Sequence, residues 1–236
     1  MTANSPELVV LDIAGTTVDE GQHVYRVLGE TAKAHGASPS QADIARWHGS
    51  AKHEALRALL TARDGTPPGD EELRTVVADF RTRLITAYAE HPPQPLPGVP
   101  EALAALRTAG IRLALNTGFD RDITDSLLNA LGWQGDSVVD VVVCGSDVQT
   151  GRPAPFMIFR AMEALGVTDV ARVVVVGDTP RDLQAGTNSG AGVVVGVLTG
   201  ASDADELGEH RHTHLLSSAA DLPAFLGVRT VAVSPS

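Results

Sequence analysis

Five short runs of Val, Ile and Leu constrain this chain more than any other feature. They fall at residues 8–11, 111–115, 138–143, 173–176 and 193–198. Each is almost wholly apolar, and none alternates with polar residues. A strand open to water on one face alternates; a strand covered on both faces reads as a continuous apolar run. These runs therefore predict a parallel sheet buried between two helical layers. A further short strand is expected at 214–216.

Helical spacing fills the intervals between runs. Leu103 and Leu106 share a face of 100–109, while Ile123, Leu127, Leu128 and Leu131 recur at three and four. Phe156, Phe159, Met162 and Leu165 follow the same rule. Alternating strands and helices imply right-handed crossovers and an α/β, Rossmann-like, doubly wound fold. One interval breaks the alternation. Between about residues 21 and 95 no strand-like run occurs, only three helical stripes. Val24, Val27, Leu28 and Thr31 make the first, and Leu56, Leu59 and Leu60 the second. Leu73, Val76, Val77, Phe80, Leu84 and Tyr88 make the third. One crossover helix does not need so many residues. The expected division is a core of 1–20 and 96–236 with a helical domain inserted at 21–95. The Pro-rich stretch at 91–98 marks the return, and the tail from 228 is expected to be loosely held.

Charge and composition exclude several classes of function. Eighteen Lys and Arg against twenty-nine Asp and Glu leave a net charge of −11, unsuited to nonspecific nucleic-acid binding or to anionic membrane surfaces. Aromatic residues, at 4%, leave little for base stacking. No apolar run approaches the roughly 20 residues needed to cross a bilayer, and residues 1–7 lack the pattern of a secretion signal. The single cysteine, Cys144, forms no intramolecular disulfide and reads as a small buried hydrophobe. The expectation is a cytoplasmic protein without nucleic-acid or membrane partners.

In open α/β sheets the ligand site lies beyond the carboxyl ends of the strands. The first run is followed by Asp12-Ile13-Ala14-Gly15-Thr16-Thr17-Val18-Asp19, and the second by Asn116-Thr117-Gly118. Gly151-Arg152-Pro153 follows the third after a short delay, and Gly177-Asp178-Thr179-Pro180-Arg181-Asp182 follows the fourth. Carboxylates, a hydroxyl and a guanidinium thus converge on one edge. Clustered carboxylates repel unless a cation intervenes. A few hard oxygen ligands suit Mg²⁺, and a hydroxyl and an arginine beside it suit a phosphoryl group. No Gly-x-Gly-x-x-Gly follows the first strand, which argues against a nicotinamide enzyme.

These four segments, in this order, resemble the four motifs of the haloacid dehalogenase superfamily, and the inserted helices resemble its small helical cap. The resemblance implies Asp12 as the nucleophile toward phosphorus. It implies Mg²⁺ held by Asp12, the Ala14 carbonyl and Asp178, with Asp182 beside them or as a direct ligand. Thr117 would bond the phosphoryl oxygens and Arg152 would neutralise the transition state. Ala14, Gly15, Thr16, Gly49 and Gly118 would surround the substrate.

Superfamily phosphatases usually carry a second, proton-transferring aspartate where Ala14 stands, and a methyl group moves no proton. General acid help is worth about 10²–10⁴-fold. The phosphonatase branch, typified by phosphonoacetaldehyde hydrolase, shares this alanine. There the leaving group is carbon, and a cap lysine supplies the electron sink by forming an imine. The segment His48-Gly49-Ser50-Ala51-Lys52-His53-Glu54-Ala55-Leu56 is similar to the lysine-bearing one, and Lys52 falls on the imine-forming position. A lysine nucleophile must be neutral, so its site must depress its pKa. Two positions depart from the branch: Ala55 replaces a proton-shuttling histidine, with His48 and His53 flanking Lys52 as substitutes, and Gln22 replaces a cysteine.

The leading expectation is a Mg²⁺-dependent hydrolase of phosphonoacetaldehyde or a related small phosphonate. A phosphatase acting on a small phosphate ester is the alternative, and a non-catalytic metal- or ligand-binding module the alternative of another class. The resemblance also implies a homodimer through the cap. Plainer readings stand beside these roles: Thr117, Asp178 or Asp182 as helix caps, Lys52 and Arg152 as surface charges, Trp47 as a core residue, and His210, His212 and His214 as an exposed approach to the last strand.

Overall fold

A computed structural model of the chain describes residues 5–133 and 138–228. The six-stranded sheet is parallel throughout and has the order β5-β4-β1-β6-β7-β8. Its strands are β1 Leu8–Asp12, β4 Arg112–Thr117, β5 Val141–Cys144, β6 Val173–Gly177, β7 Val193–Val197 and β8 His214–Leu216. The apolar runs do what continuous hydrophobicity implies. Val9 and Leu11 of β1 and Val174 and Val176 of β6 join one core, with Val99, Leu103 and Leu106. Leu8, Val10, Val173 and Val175 join a second core on the opposite face, with Met157, Ile158 and Ala161. Neither face of the central strands meets water.

The run at 138–143 is strand only from Val141, and Val141 and Val142 remain partly exposed because β5 is an edge strand. The helices packed on the sheet are α5 Val99–Thr108, α6 Arg121–Ala130, α7 Phe156–Leu165 and α8 Pro180–Ser189, with short α9 Ala204–Gly208 and α10 Leu222–Phe225. The tail beyond Val228 lies outside the described residues.

Between β1 and α5 stand four helices: α1 His23–Ala34, α2 Gln41–Ala45, α3 Lys52–Asp64 and α4 Asp70–Glu90. Their apolar stripes meet, with Val24, Leu28, Leu56, Leu60, Val76, Phe80 and Leu84 almost wholly buried. Helix α2 has no stripe long enough to read from periodicity; its start is set by a capping box in which Ser40 and Asp43 satisfy one another's backbone amides. A second element also escapes periodicity. Val18–Asp19 (β2) and Gln94–Pro95 (β3) pair antiparallel, with Val18 beside Pro95 and Asp19 beside Gln94. The Pro-rich return is thus half of a two-stranded tie at the base of the four helices. Proline suits it, because a two-residue ribbon asks few amides of each strand.

The order places β1 between β4 and β6. Strands on the two sides of β1 wind in opposite directions, so the switch point lies at the carboxyl ends of β1 and its neighbours. Asp12 is in register with Asn116, and Leu11 with Val176, so Asp12, Thr117 and Asp178 leave adjacent strands at nearly one level.

Candidate active site

Arg152 organises the strand ends. It is 3% exposed, and its guanidinium is ion-paired with both Asp12 and Asp182, the latter at 2.6 Å from Nη1. Nη2 also donates to the Asn116 carbonyl at 2.9 Å. Burial opposes the Arg152 charge, but the Asp12 and Asp182 carboxylates more than offset it and keep the group firmly cationic. It is no surface arginine. Asp182 occupies the third position of helix α8, where Oδ2 accepts from the Thr179 amide at 3.1 Å and hydroxyl at 2.5 Å. Thr179 is therefore the N-cap. Asp182 completes its capping box while its other oxygen holds Arg152.

Asp178, 2% exposed, takes no part in that cap. It accepts from the Thr16 hydroxyl at 3.0 Å and the Ala201 amide at 2.8 Å, and among the described residues it makes no ion pair. Burial first, then the neighbouring Asp12 and Asp182, push its pKa up to about 8. Burial likewise raises Asp12 to about 6, although Arg152 pulls the other way. Three buried carboxylates, Asp12, Asp178 and Asp182, with one guanidinium among them form a site short of positive charge, which a divalent cation would relieve. Among the described residues no group of three or more His, Cys, Asp or Glu side chains stands at metal-binding spacing. The carboxylates of Asp12 and Asp178 with a backbone carbonyl are the kind of hard oxygen donors that suit Mg²⁺.

The loops are shaped for close approach. Gly15 has φ +84°, and a Cβ there would lie 2.6 Å from Asp178 Oδ2. Ala14 and Gly15 line the cleft described below. Thr117 is buried, and its Oγ1 accepts from the Phe119 amide at 3.2 Å; helix α6 is capped by Asp120 instead. A Cβ on Gly118 would meet the Ser50 carbonyl at 2.7 Å, and one on Gly49 would collide with the Thr179 hydroxyl. The loop ahead of α3 thus rests directly on the ends of β4 and β6, which sets Lys52 over the strand edge.

Lys52 is 6% exposed, not a solvated surface charge. Nζ donates to the Ser50 carbonyl at 2.9 Å and lies 5.1 Å from the Tyr25 ring centroid and 5.6 Å from that of Phe119. Burial lowers its pKa to about 8, with Asp12 opposing and Arg152 reinforcing the shift. Ala55 is wholly buried. Of the flanking histidines, His53 is exposed, whereas His48 is tilted on Tyr25 with centroids 4.0 Å apart. A cleft of about 970 Å³ runs from Ala14, Gly15 and Asp178 out past Glu20, Gln22, Tyr25 and His48.

Several residues of the site escaped sequence reasoning. Asn116 holds Arg152. Arg181 reaches from α8 to the Trp47 ring, 5.6 Å away, and leaves that residue at the junction, half-buried. Glu20 and Tyr25 line the cleft, and Lys52 Nζ lies over the Tyr25 ring. Asn116 and Arg181 stand inside the strand-end segments and Glu20 adjoins the first, so position was their only signal; Tyr25 had none. Cys144 is buried, and its thiol is pushed up to about 11 by burial. Among the described residues no helix is long and apolar enough to cross a membrane.

The family model for haloacid dehalogenase-like hydrolase matches residues 6–190. A phosphonoacetaldehyde hydrolase-like protein of Syntrophobacter fumaroxidans is 33% identical over 205 residues, 81% of this chain and 72% of its own. The phosphonoacetaldehyde hydrolase of Bacillus cereus is 31% identical over 207 residues, 84% of this chain and 77% of its own. The crystal structure of a phosphonoacetaldehyde hydrolase-like protein from Oleispira antarctica superposes with a TM-score of 0.81 at 24% identity, covering 95% of this chain and 92% of that one.

Proposed function

Because the chain belongs to the haloacid dehalogenase-like hydrolases, we propose that it cleaves the carbon–phosphorus bond of a small aldehyde-bearing phosphonate such as phosphonoacetaldehyde. The observation that carries this reading is Lys52: a buried amine of lowered pKa set over the same strand edge as Asp12. A phosphate ester needs no such amine. A carbon leaving group does, because its electrons require a sink.

In this reading helices α1–α4 serve as a cap. Lys52 adds to the aldehyde and water leaves, giving a protonated imine. An Asp12 oxygen then attacks phosphorus, and the P–C electron pair moves into the imine to give an enamine. The enamine takes a proton and is hydrolysed to aldehyde and free Lys52. Water releases phosphate from the Asp12 acyl phosphate. Arg152 and Thr117 hold the phosphoryl oxygens, and the absence of an acid at Ala14 is harmless because no alkoxide departs. Asp12, Asp178 and the Ala14 carbonyl would hold Mg²⁺, which supplies electrostatic stabilisation of the phosphoryl charge. Both Asp182 oxygens are committed to Thr179 and Arg152, which fits a supporting role for it.

The test is a phosphate-release panel of phosphonates and phosphate esters, with borohydride trapping in the presence of phosphonoacetaldehyde. The expected outcome is release from the aldehyde phosphonate and reductive labelling at Lys52. Asp12→Asn should fall to about 10⁻³ of wild-type turnover or below. Turnover of esters alone, unaltered in Lys52→Ala, would establish the phosphatase reading instead, which the methyl side chain of Ala55 favours.

A further inference from the structure

Imine formation asks for one placement of a flexible side chain. Lys52 ends in an amine on a four-carbon stem, and as an ammonium it has three N–H donors. Among the described residues one oxygen receives it, the Ser50 carbonyl at 2.9 Å from Nζ. A single hydrogen bond leaves the amine free to swivel about its acceptor. We propose that Tyr25 is the positioning residue that fixes the Lys52 amine, an inference that rests on the imine-forming reading of Lys52.

Tyr25 stands on α1 one position after Val24, outside the buried stripe of Val24, Val27 and Leu28. It is half-buried and lines the cleft with Ala14, Gly15 and Asp178. Three contacts converge on it. Lys52 Nζ lies 5.1 Å from its ring centroid. Its hydroxyl oxygen accepts from the Gly49 amide at 3.1 Å. The His48 ring packs on it with centroids 4.0 Å apart. Gly49 and Ser50 belong to the same turn ahead of α3. One side chain therefore holds both the amine and the turn that carries the amine's carbonyl acceptor.

The two holds differ in kind. A desolvated ammonium over an aromatic face is attracted by the ring quadrupole, and Phe119 adds a second ring from the core, 5.6 Å from Nζ. The hydroxyl acts on backbone: it satisfies the amide of a glycine whose φ of +72° leaves the turn no other residue type at low cost. Burial first, then Asp178, raises the Tyr25 pKa, so the phenol stays neutral and places no charge beside the amine. The aldehyde carbon must be met at bonding approach, and misplacement by about 1 Å costs about 10²-fold in rate.

Because Tyr25 acts through Lys52 and not on the aldehyde, its loss should lower the maximal rate constant of borohydride trapping with phosphonoacetaldehyde and leave the half-saturating concentration unchanged. Tyr25→Phe keeps the ring and releases Gly49, and its rate constant should fall about 10-fold. Tyr25→Leu removes both holds and should fall about 10²-fold. A merely structural role would lower the fraction of protein labelled at Lys52, not the rate constant of the fraction that reacts. The chain has one other lysine, the exposed Lys33, so peptide mass spectrometry reads Lys52 against an internal control. If wild type is trapped at Lys52 and either variant reacts with the wild-type rate constant, or if only the half-saturating concentration changes, the Tyr25 inference fails and the Lys52 reading survives. If wild type is never trapped at Lys52, both fall.

Discussion

Arg152 and Asp182 form a buried ion pair: Nη1 of the guanidinium lies 2.6 Å from Oδ1 of the carboxylate, and both side chains are 2% exposed. The other oxygen of Asp182 is bound by Thr179 at the start of α8. The arginine that reaches Asp12 is thus anchored to a helix N-terminus on a different strand connection. Removing one member of a buried pair typically costs about 3–5 kcal/mol, and loss of such a supporting contact about 10- to 100-fold in activity. Asp182→Asn should lie at the low end of the first range, because Asp12 still faces Arg152. Urea unfolding and kcat/KM measure the two effects; a variant unchanged in both would refute the anchoring role.

Asp178 is the carboxylate most in need of a cation, being buried and, among the described residues, without an ion pair. Mg²⁺ at about 100 times its Kd should stabilise the protein by about 2.7 kcal/mol. In Asp178→Asn that increment should be largely lost. Thermal unfolding with and without Mg²⁺ measures it, and an equal increment in both proteins would remove Asp178 from the metal site.

Gly49 has φ +72°, and its Cα faces the Thr179 hydroxyl too closely to admit a methyl group. Gly49→Ala should cost about 1–2 kcal/mol for the left-handed backbone alone, with a further penalty for lifting the loop from α8. Because Lys52 follows three residues later, the expected kinetic signature is a loss in kcat/KM for the aldehyde phosphonate. Gly65, also with positive φ but open space at its Cβ position, is the control: Gly65→Ala should show the backbone cost without the kinetic loss.

The buried amine of Lys52 makes stability depend on pH in a defined direction. Its folded pKa is about 8, lowered by burial, against about 10.4 when unfolded. Below pH 8 the lysine is charged in both states, and the folded state bears the full penalty. Between these values the unfolded chain binds more proton, so stability rises with pH. Lys52→Met should therefore exceed wild type in stability by on the order of 3 kcal/mol near pH 7, and the gap should close toward about pH 10. Equal gaps at both pH values, measured by urea unfolding, would contradict a buried ammonium.

The sequence alone determined the sheet and the residues gathered at its edge. Runs such as 8–11 and 173–176 have no polar position to turn toward water, so both of their faces had to be covered, and motifs placed directly after such strands had to meet at one edge. What it left open depended on contacts between residues far apart in the chain. Two-residue strands at Val18 and Gln94 carry no period, and α2 is too short to show one. Glu20, Tyr25 and Arg181 look like ordinary helix or loop residues until the fold sets Glu20 on the cleft, Tyr25 beside Lys52 and Arg181 on Trp47. Whether Lys52 was a solvated charge or a buried amine was likewise undetermined by its neighbours in sequence. The seating of Gly49 on Thr179 and of Gly118 on Ser50, with the Tyr25 and Phe119 rings beside Nζ, decided it, because that packing buries the amine.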